Sequence, residues 1–142
     1  MNILYKTKED YLKEIILPDS LTKIDENAFQ GLSSLLEITI PNQVTHIEKE
    51  AFLGCNSLVS VNLGASVRTI KDSAFENCSS LESIVLPDSV TTIGSSAFAY
   101  CTSLTSVTIP DSVTSIGGYV FYGCTNLKEV EIPENLKSIA ET

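Results

Sequence analysis

The sequence predicts an α/β solenoid built from stacked repeats, and two regularities of its apolar residues carry this prediction. Leucine recurs every 23 residues from Leu12 to Leu127, and each of these leucines begins the same pattern, Leu-x-x-Ile-x-Leu, with Val or Ile as substitutes. A fixed period of roughly 20–50 residues is typical of proteins that stack one supersecondary unit many times. The chain therefore divides into about six units, and we expect residues 1–142 to form a single domain.

The first element of each unit is a predicted β-strand with three apolar columns. The fourth and sixth positions of the pattern alternate with polar ones, as in a strand that buries one face. Because every unit repeats the pattern, strands of successive units should pair in parallel and bury continuous rows of side chains. The columns are Leu12, Leu35, Leu58, Leu81, Leu104 and Leu127, then Ile15, Ile38, Val61, Ile84, Val107 and Val130, then Leu17, Ile40, Leu63, Leu86, Ile109 and Ile132.

The second part of each unit is predicted to leave the sheet and close the coil. A proline follows the strand in most units, with Gly64 in one, and proline lacks the N–H group that a central strand needs. After a column of isoleucines comes an Ala-Phe pair, and residues 25–34 are predicted to form a short helical turn and a loop opposite the strands. The phenylalanines share one column and should stack as a ladder in the core. They are Phe29, Phe52, Phe75, Phe98 and Phe121.

The repeat unit also resembles a known class. Written over all copies it reads L-x-x-[IV]-x-[IL]-P-x-x-V-T-x-I-x-x-x-A-F-x-x-C-x-x, and it resembles the BspA-like leucine-rich repeat from Leu12 to Ile139. The resemblance implies a right-handed superhelix with a parallel β-sheet on its concave face and short helical turns or loops opposite. It also implies a cell-surface or secreted protein of bacteria or protists that adheres to host or matrix proteins.

Both ends of the chain depart from the repeat. Residues 1–11 carry Tyr5-Lys6 where other units carry Ala-Phe, so they are expected to form a degenerate N-terminal coil. The last unit reaches Thr142 just before its own Ala-Phe pair would come, which predicts a fragment of a longer protein. The apolar rows of that unit then lie uncovered, and self-association through the C-terminal end is expected.

Charge and hydropathy narrow the choice of partners. Eighteen acidic and nine basic residues give a formal net charge of −9, which repels the phosphate backbone, so no nucleic acid is expected as a partner. No apolar run approaches the roughly 20 residues of a membrane-spanning helix, so no membrane insertion is expected. Residues 1–12 carry charged side chains where a secretory signal would be apolar. They therefore do not indicate in which cellular compartment the protein is found.

Four cysteines, Cys55, Cys78, Cys101 and Cys124, share one column of the repeat. Leu32 holds the same position in an earlier unit, which favours a buried apolar site and four free thiols. Disulfide bonds between neighbouring units are a second reading, because adjacent parallel strands lie within the distance that a disulfide can bridge. A metal site is a third and the least supported, since neither a Cys-x-x-Cys pair nor a second histidine supplies ligand spacing.

No catalytic, cofactor-binding or metal-binding residues are predicted elsewhere, and no cofactor is expected. The one histidine, His46, falls in a polar column and should be a solvated loop residue. The glycines at residues 94 and 117–118 lack the lysine and helix start of a phosphate-binding loop. Acidic residues are spread thinly instead of being paired as acid–base catalysis requires. The sequence therefore predicts that the protein is not an enzyme.

The outward face of the predicted sheet is the candidate binding surface. It contains the positions on either side of the fourth, apolar position of the pattern. These residues are Glu14, Ile16, Glu37, Thr39, Ser60, Asn62, Ser83, Val85, Ser106, Thr108, Glu129 and Glu131. They predict a non-enzymatic protein-interaction module with a protein partner of unknown identity. Because aromatic and arginine anchors are absent from this set, the alternative is a structural spacer within a larger multidomain protein.

Exposed aromatic residues suggest a second surface. Tyr100, Tyr119 and Tyr122 gather on the loop side of the last units. They either form an additional contact patch or cover neighbouring loops, and the sequence leaves both readings open.

Overall fold

The computed structural model describes residues 13–140 and shows a parallel β-solenoid of about five turns. The predicted coil at residues 1–11 lies outside the described residues. The strands come from two places in the repeat unit, the Leu-x-x-Ile-x-Leu pattern and the isoleucine column. In chain order they are β1 (Glu14–Ile15), β2 (Lys23–Ile24), β3 (Glu37–Thr39), β4 (His46–Ile47), β5 (Ser60–Asn62), β6 (Thr69–Ile70), β7 (Thr92–Ile93), β8 (Ser106–Thr108), β9 (Ser115–Ile116), β10 (Glu129–Glu131) and β11 (Ser138–Ile139).

The first sheet consists of the strands of the Leu-x-x-Ile-x-Leu pattern. β3 lies between β1 and β5, with Ile38 opposite both Ile15 and Val61. β8 pairs with β10 in the same way, with Val107 opposite Val130. In-register pairing puts the side chains of one column on the same face of the sheet. The predicted parallel pairing is confirmed for these five strands.

The fourth copy of the pattern differs from the prediction, because residues 83–85 form no strand and divide the first sheet between β5 and β8. In the other turns the N–H group just before the strand bonds to the previous turn at N–O distances of 2.8–3.0 Å. Here Glu82 N lies 3.3 Å from Val59 O, and Thr105 N lies 3.4 Å from Glu82 O. Longer hydrogen bonds are weaker, so the backbone ladder is stretched across this turn. Ile84 stays buried, and the core row therefore continues past the gap.

A second sheet, which the sequence does not predict, runs along the isoleucine column. Six strands of two residues pair in parallel in the order β11-β9-β7-β6-β4-β2. Ile24 and Ile47 are buried, while Lys23 and His46 before them are not, as the alternation of a strand requires. Two residues are too few for an alternating pattern to be recognised, so the sequence predicts only turns and loops at these positions.

The prediction of helical turns opposite the first sheet is wrong, because residues 13–140 contain no helix. The N–H groups of Asn27, Phe29 and Gly31 donate to carbonyls of the next turn, while those between them bond to carbonyls three residues earlier. An α-helix needs these N–H groups for carbonyls four residues earlier in the same segment. Asn27 and Gly31 also have left-handed backbones, with φ of 59° and 73°, which a right-handed helix excludes.

The phenylalanine column forms a continuous stack through the core. Successive rings from Phe29 to Phe121 are stacked with centroid distances of 5.1, 5.0, 5.4 and 5.9 Å. The first four rings are buried, and Phe121 is half-buried. Offset stacking of this kind adds to the stabilisation that each ring gains by leaving water. The predicted ladder is confirmed.

Candidate binding surface

The solvent side of the first sheet carries the residues that the sequence singles out for binding. None of these twelve residues is buried, whereas the residue between each pair, such as Ile38, points into the core or packs against it. We call this surface the open face. It consists of Glu14, Ile16, Glu37, Thr39, Ser60, Asn62, Ser83, Val85, Ser106, Thr108, Glu129 and Glu131. That the open face binds a partner remains a prediction.

Two aliphatic side chains of the open face lie largely in solvent. Ile16 is 63% exposed and Val85 is 81% exposed. Val85 belongs to the segment that forms no strand, and it borders a depression of about 220 Å³ shared with Asn62 and Pro87. Apolar side chains this exposed on a sheet offer contact area to a partner at little cost in desolvation.

Two glutamates form the common border of two further depressions. Glu14 and Glu37 are Cα partners in the ladder of β1 and β3, so their side chains stand side by side on the open face. One depression, of about 330 Å³, is bordered by both glutamates and by Ile16. The other, of about 420 Å³, is bordered by both glutamates and by Leu36 and Val59. We call Glu14 and Glu37 the glutamate pair.

Leu36 and Val59 are exposed aliphatic residues that the sequence does not single out. They are 42% and 39% exposed and lie next to the open face. Alternation with core residues predicts only the twelve positions of the open face, and Leu36 precedes the first residue of β3, where alternation does not yet apply. The mixed composition of this column is a usable signal, since it holds Lys13 and Glu82 as well as leucine and valine. A core column would hold apolar residues alone.

The C-terminal half of the open face has a different character. β8 presents the hydroxyl groups of Ser106 and Thr108, and β10 presents the carboxylates of Glu129 and Glu131. All four side chains are exposed. The two glutamates of β10 have Ser106 and Thr108 as their strand partners and border neither of the two depressions beside the glutamate pair.

Among the three tyrosines, Tyr122 contacts each of the other two. Tyr100, Tyr119 and Tyr122 are 43%, 52% and 56% exposed, and the ring of Tyr122 meets the other two edge to face at centroid distances of 5.5 and 5.8 Å. Tyr119 and Tyr122 also border an apolar cavity of about 550 Å³ that reaches Ile132 and Ile139 in the last turn. The tyrosines thus shield one another partly while leaving more than two fifths of each side chain accessible.

The cysteine column is a row of free thiols. Cys55, Cys78 and Cys101 are buried and Cys124 is half-buried, so the predicted burial is confirmed for three of the four and wrong for the last. Each Sγ lies 3.1–3.3 Å from the carbonyl oxygen of a phenylalanine 26 residues earlier, to which the thiol donates. Burial raises the pKa of Cys55 to about 11 and raises the pKa of the other three thiols as well. A raised pKa keeps the thiols protonated and unreactive at neutral pH.

In the part of the chain that the structure describes, the other side chains that could bind a metal or act in catalysis are dispersed. His46 is half-buried on β4, with Nδ1 2.8 Å from Thr45 Oγ1, and is therefore not the fully solvated loop residue that the sequence predicts. Within residues 13–140, no three His, Cys, Asp or Glu side chains come together as a metal site would require. No helix in the same range is long and apolar enough to cross a membrane.

Stacked parallel strands of a 23-residue unit, each led by leucine and followed by a phenylalanine ladder, define a leucine-rich-repeat solenoid. The chain belongs to the family of BspA type leucine rich repeat regions, whose model matches six copies over residues 4–107 and 91–142. The resemblance that the repeat unit indicates is therefore confirmed.

Solved structures of bacterial leucine-rich-repeat proteins are similar to this chain. The T. pallidum leucine rich repeat protein is 30% identical with a TM-score of 0.76, and the match covers 86% of this chain and 71% of that protein. A leucine rich cell surface protein of Faecalibacterium prausnitzii is 32% identical with a TM-score of 0.80, over 84% of this chain and 31% of that one. A leucine-rich repeat protein of Eubacterium ventriosum is 30% identical with a TM-score of 0.81, over 91% and 35%.

The chain thus spans about a third of the length of two of these proteins. A comparison with curated proteins finds no match.

Proposed function

We propose that this chain is a non-enzymatic protein-interaction module of a bacterial cell-surface or secreted protein, and that it serves in adhesion through the open face. The observation that carries the proposal is the set of exposed aliphatic side chains at Ile16, Leu36, Val59 and Val85, on or beside one face of the first sheet. Contact surfaces of proteins combine such apolar residues with a polar rim. The relative from F. prausnitzii is described as a cell surface protein, which supports the location.

A structural spacer is the second candidate, and the ladders of the fold favour it. The phenylalanine stack and the hydrogen bonds from Asn27, Phe29 and Gly31 to the following turn recur along the solenoid, so each turn is tied to the next. Such a solenoid has nearest-neighbour contacts along its whole length and holds its ends at a set separation. A spacer of this kind needs no binding surface of its own.

Binding of the purified chain to a panel of immobilised extracellular-matrix proteins, followed by interferometry, tests the proposal. We expect at least one protein to bind, and we expect Ile16→Ser combined with Val85→Ser to weaken that binding. Tyr122→Ser is the control, because it removes a large exposed aromatic side chain away from the open face. Binding that is lost with Tyr122→Ser and kept by the open-face variant would contradict the assignment. Absence of binding across the panel would favour the spacer.

A further inference from the structure

Three exposed tyrosines on the loop side of the solenoid form one aromatic surface, which we call the tyrosine cluster. Tyr122 contacts Tyr100 and Tyr119 edge to face, and each of the three side chains is 43–56% exposed. Within residues 13–140, no hydrogen bond joins their phenol hydroxyl groups to another group of the chain. The tyrosine cluster therefore offers both aromatic carbon atoms and hydroxyl groups to a ligand.

Tyr100 occupies a backbone position that suits glycine better than tyrosine. Its φ is 59°, in the left-handed region that bulky residues rarely adopt, and Tyr119 has a similar φ of 58°. Glycine enters this region without a steric cost, and asparagine tolerates it. The other described units place one of these two residues at the position of Tyr100, namely Gly31, Gly54, Asn77 and Gly123, with φ between 59° and 75°. The fold thus does not need tyrosine here, and the exposed ring requires a reason other than folding.

The ring of Tyr100 is held in place by the following turn. A Cβ atom at Gly123 would lie 2.5 Å from Cδ1 of Tyr100, so the ring lies directly against the backbone of Gly123. Tyr122 packs against the same ring. An aromatic ring that is already fixed loses little conformational entropy when a ligand covers its exposed part. The tyrosine cluster is therefore organised for binding in advance.

The chain around the tyrosine cluster is almost free of charge. Between Asp88 and Lys128, the sequence contains 14 serines and threonines and one charged residue, Asp111. In the column of Tyr122, the nearest acidic residue is Glu76, two turns earlier. A charged partner would find few complementary charges on this surface, whereas an uncharged partner needs none. The composition therefore favours a neutral ligand that carries hydroxyl groups of its own.

From these observations we propose that the tyrosine cluster binds a neutral polysaccharide whose hexose units carry equatorial hydroxyl groups. Such a sugar ring has its hydroxyl groups around the rim and C–H groups on its two flat faces. The C–H faces stack on aromatic rings, and the rim hydroxyl groups exchange hydrogen bonds with phenol, serine and threonine hydroxyl groups. This is a second surface with a second class of ligand, and it is independent of the binding proposed for the open face.

Cellohexaose, a soluble chain of β-linked glucose units, is the probe, and its binding is followed by NMR on the isotope-labelled 142-residue chain. We expect saturable shifts centred on the amides of Tyr100, Tyr122 and Gly123, and no effect of added salt, because the sugar carries no charge. Tyr122→Ser should weaken binding about tenfold, since it removes the ring that contacts the other two. Val85→Ser is the control, because it removes an exposed apolar side chain from the open face, and it should leave the affinity unchanged.

Tyr100→Asn separates binding from folding. Asn77 holds the same position one turn earlier with the same φ of 59°, so asparagine fits the backbone there. We expect the variant to keep its free energy of unfolding in urea, because relief of backbone strain offsets the lost ring contacts. Its affinity for cellohexaose should fall about tenfold. A loss of stability with unchanged affinity would mean that the ring only covers neighbouring loops, and the proposal would be wrong.

Polygalacturonate, an anionic polysaccharide, tests the preference for a neutral ligand and should not bind. Equal binding of the two sugars, shifts confined to the open face, or no saturable shifts with cellohexaose would each overturn the proposal. So would a deglycosylated matrix protein that binds the chain and loses affinity with Tyr122→Ser, because the ligand would then be a polypeptide. Self-association that Tyr100→Asn abolishes, measured by sedimentation velocity, would show that a second copy covers the tyrosine cluster and would also overturn it.

Discussion

Each cysteine thiol lies beside a phenylalanine carbonyl in an apolar column, and this environment couples stability to alkaline pH. Burial raises the pKa of Cys55 from 9.0 to about 11, and the other thiols shift in the same direction. Because the pKa is higher in the folded state, the protonated thiol contributes fully to stability below about pH 9. This contribution is lost as the pH rises towards the folded pKa. We therefore expect the free energy of unfolding in urea to fall between about pH 9 and about pH 11, with a smaller slope in Cys55→Ala. Equal slopes in the two proteins would contradict this assignment.

The same burial predicts how the thiols react. A thiol reagent should modify little of the native protein at neutral pH, with Cys124 reacting first because it is only half-buried. After unfolding without reductant, all four cysteines should titrate. A count below four in the unfolded protein would show that some are oxidised.

Gly64 stands where five other units carry proline, so comparison of the units alone favours Gly64→Pro as a stabilising change. The structure predicts the opposite. A Cβ atom at Gly64 would lie 2.4 Å from the carbonyl oxygen of Pro41 and 2.7 Å from its carbon, and this is backbone that cannot rotate aside. We expect Gly64→Pro and Gly64→Ala to lower the free energy of unfolding by about 1–3 kcal/mol, the usual cost of overpacking. Denaturant unfolding measures the change, and a gain in stability for either variant would refute the close approach.

At the scale of the element, the phenylalanine stack should contribute most where a ring has neighbours on both sides. Phe75 is buried between Phe52 and Phe98, with ring centroids 5.0 and 5.4 Å away, whereas within residues 13–140 Phe29 stacks on Phe52 alone. We expect Phe75→Ala to cost about 3–5 kcal/mol, the range for a fully buried phenylalanine, and Phe29→Ala to cost less. Urea unfolding of the two variants gives both values. Equal losses would mean that ring stacking along the column adds nothing to simple burial.

The strands and turns also show which elements the sequence could predict. The columns that contain Ile38 and Phe52 repeat at every turn, so parallel pairing and ring stacking follow from the period alone. The turns are different, because the N–H groups of Asn27 and Phe29 bond to the next turn instead of within their own segment. Apolar periodicity within one unit contains no information about bonds between units, and it therefore predicts a helix where the chain forms linked turns.

At the scale of the whole molecule, stacking identical patterns predicts the core better than the surface. Each core position is constrained by like side chains above and below, so its column repeats without charged residues. The open face has no such constraint, and its character changes along the solenoid from the glutamate pair to the hydroxyl groups of β8. The opening of the first sheet at residues 83–85 has no counterpart in the sequence pattern, since Ile84 and Leu86 occupy their columns as in every other unit. A surface feature that arises because one unit differs from its neighbours can therefore be located only in the structure.

The last turn of the structure carries the final prediction, because its apolar side chains lie in solvent. Ile132 and Ile139 are 54% and 58% exposed and border the cavity of about 550 Å³ beside the tyrosines. Within the described residues, β10 pairs only with β8 and β11 only with β9, so each presents an unpaired strand edge. Exposed strand edges and apolar patches promote association. We expect the 142-residue chain to self-associate through this end.

Sedimentation velocity over a concentration series measures this association, and hydrogen exchange of residues 127–139 locates it. Ile132→Lys combined with Ile139→Lys should give a monomer, because charges on an edge strand oppose pairing with another chain. Val85→Lys is the matched control, since Val85 is 81% exposed on the open face, and it should leave the association unchanged. The amides of the last turn should exchange more slowly as concentration rises, because contact with a second copy shields them. The prediction is wrong if the chain stays monomeric at every concentration and the amides of its last turn are as protected from exchange as those of the middle turns.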